Sequence, residues 1–133
     1  MTLEINKPWA RWSNSPYRFG GYLTVANRSN EPDRLVSATS AAVRRIFICG
    51  IKVVGSEIAM RALPKGLVIP PETTITLKPR GYHLLMVGPT EPLEKLGSKV
   101  PVTLTFEKAG AIDVSLSIEP PGPVGKETLH ENL

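Results

Sequence analysis

Residues 46–63 read Ile46-Phe47-Ile48-Cys49-Gly50-Ile51-Lys52-Val53-Val54-Gly55-Ser56-Glu57-Ile58-Ala59-Met60-Arg61-Ala62-Leu63, and this stretch decides the fold class. From Ile46 to Val54, apolar residues fall on both faces of an extended chain, which suits a strand lying inside a sheet. Val54-Gly55-Ser56 then supplies a turn, and Glu57–Leu63 resumes as a second strand, so the stretch predicts a β-hairpin.

Working outward, the same signals recur. Gly21–Asn27 alternates Tyr22, Thr24 and Ala26 against Leu23 and Val25, and Thr73–Lys78 alternates with Ile75 and Leu77 inward. Tyr82–Val87, Val100–Glu107 and Ile112–Ile118 read as further strands, with Leu3–Asn6, Ala10–Trp12 and Leu35–Ser37 as short pieces. Turn residues separate them: Asn30-Glu31-Pro32-Asp33, Pro70-Pro71, Pro79-Arg80-Gly81, Gly88-Pro89 and Lys108-Ala109-Gly110. Helix is expected only as single turns over 38–45 and 91–96, too short to stand alone. Strands spaced in this way predict an all-β sandwich or small barrel and exclude a βαβ fold. From Glu119 onward the chain has no period and few apolar groups, so 1–118 reads as one β domain and 119–133 as a disordered tail.

Composition bounds the function. At 133 residues the chain fits one domain, and its 13 Pro and 11 Gly agree with many turns. The net charge is +4, with Arg44-Arg45 the basic doublet, so the clustered stripe of a nucleic-acid binder is missing. No stretch has the roughly 18 apolar residues of a membrane span. The single cysteine, Cys49, rules out an intramolecular disulfide. The opening residues show neither a basic nor an apolar leader region, which fits a cytoplasmic protein or a mature domain behind an added Met. No Ser-His-Asp set, phosphate loop or paired-cysteine motif is present, and an enzyme is not expected.

Several strings, in order, carry a resemblance. They are Pro8-Trp9-Ala10-Arg11, Gly21–Asn27 leading into Glu31-Pro32-Asp33-Arg34-Leu35-Val36, Leu77-Lys78-Pro79 with Gly81-Tyr82-His83-Leu84, and Val100–Gly110. Over roughly residues 3–118 the chain resembles the periplasmic copper(I)-chaperone family, PCuAC (DUF461). The resemblance implies a cupredoxin-like Greek-key fold, a periplasmic location, and delivery of Cu(I) to the dinuclear CuA centre of cytochrome c oxidase. The implied partners are the copper ion and a cytochrome c oxidase subunit or another copper chaperone.

The family binds Cu(I) through His-x10-Met-x21-His-x-Met. Soft thioether, thiolate and imidazole donors suit Cu(I), whereas carboxylates do not. In this sequence Cys49 stands at the first His position, Met60 keeps the spacing, and His83 follows after one extra residue. Leu85 stands at the last Met position, with Met86 beside it. Strand alternation puts His83 and Leu85 on one face and Met86 on the other, unless a bulge at Leu84–Leu85 swings it round. The resemblance therefore implies Cys49, Met60 and His83 as the metal set, with Met86 as an outlying candidate.

Bland readings compete at each position. Cys49 and Met60 would serve as core filler, His83 as a structural histidine held by a carbonyl, and His130 as a solvated tail residue. Trp9, Trp12, Tyr17 and Phe19 fit core and rim packing or an aromatic contact face. A Cys49–His83 nucleophilic pair is disfavoured by its apolar surroundings. The alternative to a copper carrier is a family member that has lost useful copper binding and serves as a protein-interaction module.

Overall fold

The computed structural model describes residues 3–12, 18–90 and 99–119. Its strands are β1 (Leu3–Trp12), β2 (Arg18–Asn27), β3 (Asp33–Thr39), β4 (Val43–Val54), β5 (Glu57–Ala62), β6 (Leu67–Ile69), β7 (Thr73–Thr76), β8 (His83–Pro89), β9 (Lys99–Phe106) and β10 (Gly110–Glu119). All belong to one sheet, ordered β5-β4-β8-β2-β1-β10-β9-β3-β6, with β7 paired to β2. The sheet curls on itself. Its inner face gathers Phe19, Leu23 and Val25 of β2, Ile48 of β4, and Leu84 and Met86 of β8 against Leu35 of β3, Val100, Leu104 and Phe106 of β9, and Leu116 of β10. The fold is all-β, as the spacing of the strand signals predicts, and cupredoxin-like, as the family resemblance implies.

Chain neighbours are not always sheet neighbours. β3 pairs with β9, whereas β4 crosses to pair with β8 and β5. β1 runs antiparallel to β2 and parallel to β10, joining the two halves of the sheet. Two buried polar side chains fix the turns. Asn27 donates from its amide to the carbonyls of Glu31, Ile69 and Pro70. Asp33 accepts from the backbone N–H groups of Arg34, Lys108 and Ala109, tying the β9–β10 turn to the start of β3. Each satisfies backbone groups that would be costly to leave unpaired near the core.

Four local expectations need correction or extension. The helical turn over 38–45 is instead the end of β3, a turn, and the start of β4. Ser40 Oγ accepts the Ala42 N–H there at 3.0 Å. Pairing of both strands overrides the local preference of the alanines. Leu3–Asn6 and Ala10–Trp12 form one strand, interrupted by a register shift between Asn6 and Trp9 where Lys7 has φ 49°. The segment between Leu63 and Thr73 holds β6, which pairs with β3. β10 extends through Glu119, one residue into the expected tail. The turn over 91–96 and the rest of the tail lie outside the described residues.

Candidate metal centre

The candidate donors sit on three adjacent strands. β4 and β8 pair antiparallel without a break from Arg45↔Val87 through Ile46↔Met86, Phe47↔Leu85 and Ile48↔Leu84 to Cys49↔His83. Cys49 and His83 are thus directly opposed, on the same sheet face, where opposed Cβ atoms lie about 4.5–5.5 Å apart. On the other side of β4, Cys49 faces Ala62, and Met60 pairs with Ile51 one step along the same face. This backbone register puts Met60 diagonally across from Cys49; the Met60 side chain lies outside what the structure describes.

Met86 is separated from this group. The continuous register contains no bulge at Leu84–Leu85, so Met86 stays on the opposite face. It is fully buried in the core, and its methyl group lies against the Cα of Gly21. The structure therefore brings Cys49 and His83 together, places Met60 by register beside them, and leaves Met86 in the interior. Leu85 shares the face of His83 and is half-buried. His130 lies outside the described residues.

Local geometry prepares the imidazole. His83 Nδ1 lies 2.9 Å from the Gly81 carbonyl. A carbonyl only accepts, so Nδ1 carries a proton and Nε2 is the ring nitrogen left to face a ligand. This is the arrangement in which an outer hydrogen bond fixes the tautomer of a metal-binding histidine. The supporting turn is set by the Gly81 N–H donating to the Lys78 carbonyl and by the Lys78 N–H donating to the Tyr82 carbonyl. Sequence reading named His83 but not Gly81 as its anchor; the Pro79-Arg80-Gly81 turn signal was the available clue.

The thiol is different. Cys49 is 4% exposed, and its Sγ has a weak contact with the Phe47 carbonyl at 3.9 Å. Burial pushes its pKa above the ordinary 9.0, so the resting group is a neutral thiol. A catalytic thiolate needs the opposite, a lowered pKa beside positive charge. The Cys49–His83 pair is therefore unsuited to nucleophilic chemistry as it stands, while a soft cation binding there would displace the proton itself. No group of three or more His, Cys, Asp and Glu residues could hold a metal among the described residues. Thiol, imidazole and thioether are the donor types that suit soft ions.

The fold is that of solved PCuAC domains. A structure described as "Copper-bound PCuAC domain from PmoF2" matches with a TM-score of 0.70 and 28% identity, over 90% of this chain and 93% of that one. The "Apo PCuAC domain from PmoF1" matches with a TM-score of 0.73 and 27% identity, over 90% and 94%. The Cu(I) form of DR1885 from Deinococcus radiodurans matches with a TM-score of 0.66 and 25% identity, over 86% and 78%. In sequence, the chain belongs to the LpqE-like family, described as "Putative lipoprotein LpqE-like", whose profile matches residues 3–118. A curated relative, "Putative lipoprotein Lxx21020" of Leifsonia xyli subsp. xyli, is 26% identical over 117 residues, covering 88% of this chain and 69% of the relative.

Proposed function

We propose that this chain is an extracytoplasmic Cu(I) carrier with an altered donor set, in which Cys49 and His83 hold the ion and Met60 completes it. The observation that carries the reading is the direct opposition of Cys49 and His83 across β4 and β8, with the Nε2 of His83 left available. The copper-bound and Cu(I) structures among its relatives support copper as the cargo, and the lipoprotein family supports a location outside the cytoplasm. The altered set has a consequence. Thiolate binds Cu(I) more firmly than the imidazole it replaces, while Leu85 offers no donor where the copper pattern expects Met. The ion is held by fewer donors, one of them stronger. We assign the chain to delivery rather than catalysis, with the CuA centre of cytochrome c oxidase as the proposed destination.

A second reading has its own observation. Cys49 and His83 are 4% and 5% exposed, so an ion can reach them only if covering groups shift. If they do not shift, the domain is an interaction module without copper. Titration of the reduced protein with Cu(I) against a competing chelator decides between them. A one-to-one complex that weakens at least tenfold in both His83→Ala and Cys49→Ala supports the carrier. A parent protein that never competes with the chelator ends that reading. Transfer from the loaded protein to an apo CuA domain, followed by the absorbance of the assembled centre, tests the destination.

A further inference from the structure

We infer that the outer face of β4, β8 and β2 beside the copper locus is a docking surface for an acidic protein, the recipient of the ion. The inference rests on the carrier reading for its purpose, though not for its measurement. Two cross-strand rows build the surface. The first is Arg45↔Val87↔Arg18, which sets two arginines on either side of a valine, two strand spacings or roughly 10 Å apart. The second is Phe47↔Leu85↔Gly20, the next row toward Cys49 and His83. Both rows point away from the core, because the intervening Ile46, Met86 and Phe19 point into it.

The chemistry of these rows specifies the occupant. Arg45 and Arg18 are exposed. The Arg45 guanidinium lies over the Phe47 ring, 5.0 Å from its centroid. A stacked guanidinium keeps its N–H edges turned outward, ready to grip a carboxylate with two hydrogen bonds. Between the arginines, Val87, Leu85 and Phe47 are only half-buried and form a shallow apolar centre. An apolar centre bracketed by arginine and aromatic groups is the composition of a protein-binding hot spot. Along the second row, Gly20 is followed by Arg11 of β1 and then Glu119 of β10. A membrane anchor would need projecting apolar side chains, whereas here the aromatic ring lies beneath a cation. The complement is a surface with carboxylates around an apolar centre, and it would arrive within two residues of His83.

The test uses the full, reduced, metal-free chain and three probes: the capped peptide EELILEE, its counterpart KKLILKK, and vesicles of phosphatidylcholine with phosphatidylglycerol. Backbone amide NMR titration with EELILEE should shift Arg45, Phe47, Leu85, Val87 and Arg18 together. Arg45→Gln should weaken that binding at least fivefold, whereas Lys65→Gln, which removes the same charge from the turn before β6, should change it less than twofold. Equal weakening by both variants, equal binding of KKLILKK, shifts scattered around Arg28 and Lys65, or binding to vesicles without binding to the peptide would each overturn the inference. Chelator competition on the parent and on Arg45→Gln separates the two readings. Loss of copper binding with intact peptide mapping sinks the carrier alone, and intact copper binding without the mapped peptide sinks the docking surface alone.

Discussion

Copper binding at Cys49 should be proton-linked in a way that counts the thiol. The group is buried, its pKa is raised by that burial, and its contact with the Phe47 carbonyl at 3.9 Å is too long to stabilise either form strongly. Below its pKa the resting site holds one proton on sulfur, and Cu(I) must expel it. The apparent association constant should then rise about tenfold per pH unit, or about 1.4 kcal/mol, because one proton leaves per ion bound. From pH 7 to pH 8.5 the gain is about 30-fold. Competition with a chelator of known proton affinity, repeated across that range, measures the slope. Cys49→His restores an imidazole and should flatten it. A flat profile in the parent, or an unchanged slope in Cys49→Ser, would refute the claim that the thiolate binds the ion. The same raised pKa has a consequence for the metal-free fold. Its contribution is fully present below pH 9.0, the ordinary value, and is lost as pH rises toward and through the higher folded value, since the unfolded chain gives up the proton first.

Other substitutions test the register and the pins. Leu85→Met puts a thioether on the face of His83 and should tighten Cu(I) at least tenfold by chelator competition, whereas Met86→Leu, in the core, should leave copper affinity within twofold and cost less than about 1.5 kcal/mol of stability. Asp33→Ala removes the acceptor of three backbone N–H groups and should cost about 2–4 kcal/mol in denaturant unfolding, with Asp33→Asn losing roughly half as much because one oxygen remains.

The strands were legible because their signal is local. Alternation in Gly21–Asn27 and Thr73–Lys78 fixes which face each strand buries before any partner is known, while the ends shift, with β2 starting at Arg18 and β7 ending at Thr76. The errors fall where partners decide. Ala38 to Arg45 carries alanines that favour a helical turn, yet β9 and β8 claim the two ends as strands. β6 is three residues long and is held by its pairing with β3 and by the Asn27 amide on the Ile69 carbonyl, so nothing in its own sequence announces it. For the site, the separation of Met86 from His83 followed from strand period alone. The opposition of Cys49 and His83 did not, because register across 33 intervening positions is set by packing rather than by sequence spacing. The Arg45–Val87–Arg18 row was hidden for the same reason, as its members lie on three different strands.

The strand lengths bear on how an ion could enter so closed a site. β8 begins at His83, so β4 is supported by β8 only as far as Cys49; beyond it, among the described residues, Gly50 to Val54 pair with β5 alone. Cys49 and His83 therefore stand where the sheet is several strands wide, while Met60 stands on a two-stranded arm. A two-stranded ribbon is marginally stable by itself, so this arm should open at much lower free energy than the body of the sheet. If the proposed donor set holds, two donors sit on the body of the sheet and the third on the arm, and opening of the arm would give an ion access to the buried Cys49. Hydrogen exchange makes the difference visible. In the metal-free protein, amides of residues 50–62 should exchange faster than those of Val100–Phe106, and Cu(I) should slow the arm at least tenfold while barely changing β9. Unchanged exchange in the arm on loading, with copper bound, would show that Met60 is no part of the site and that the ion rests on Cys49 and His83 alone.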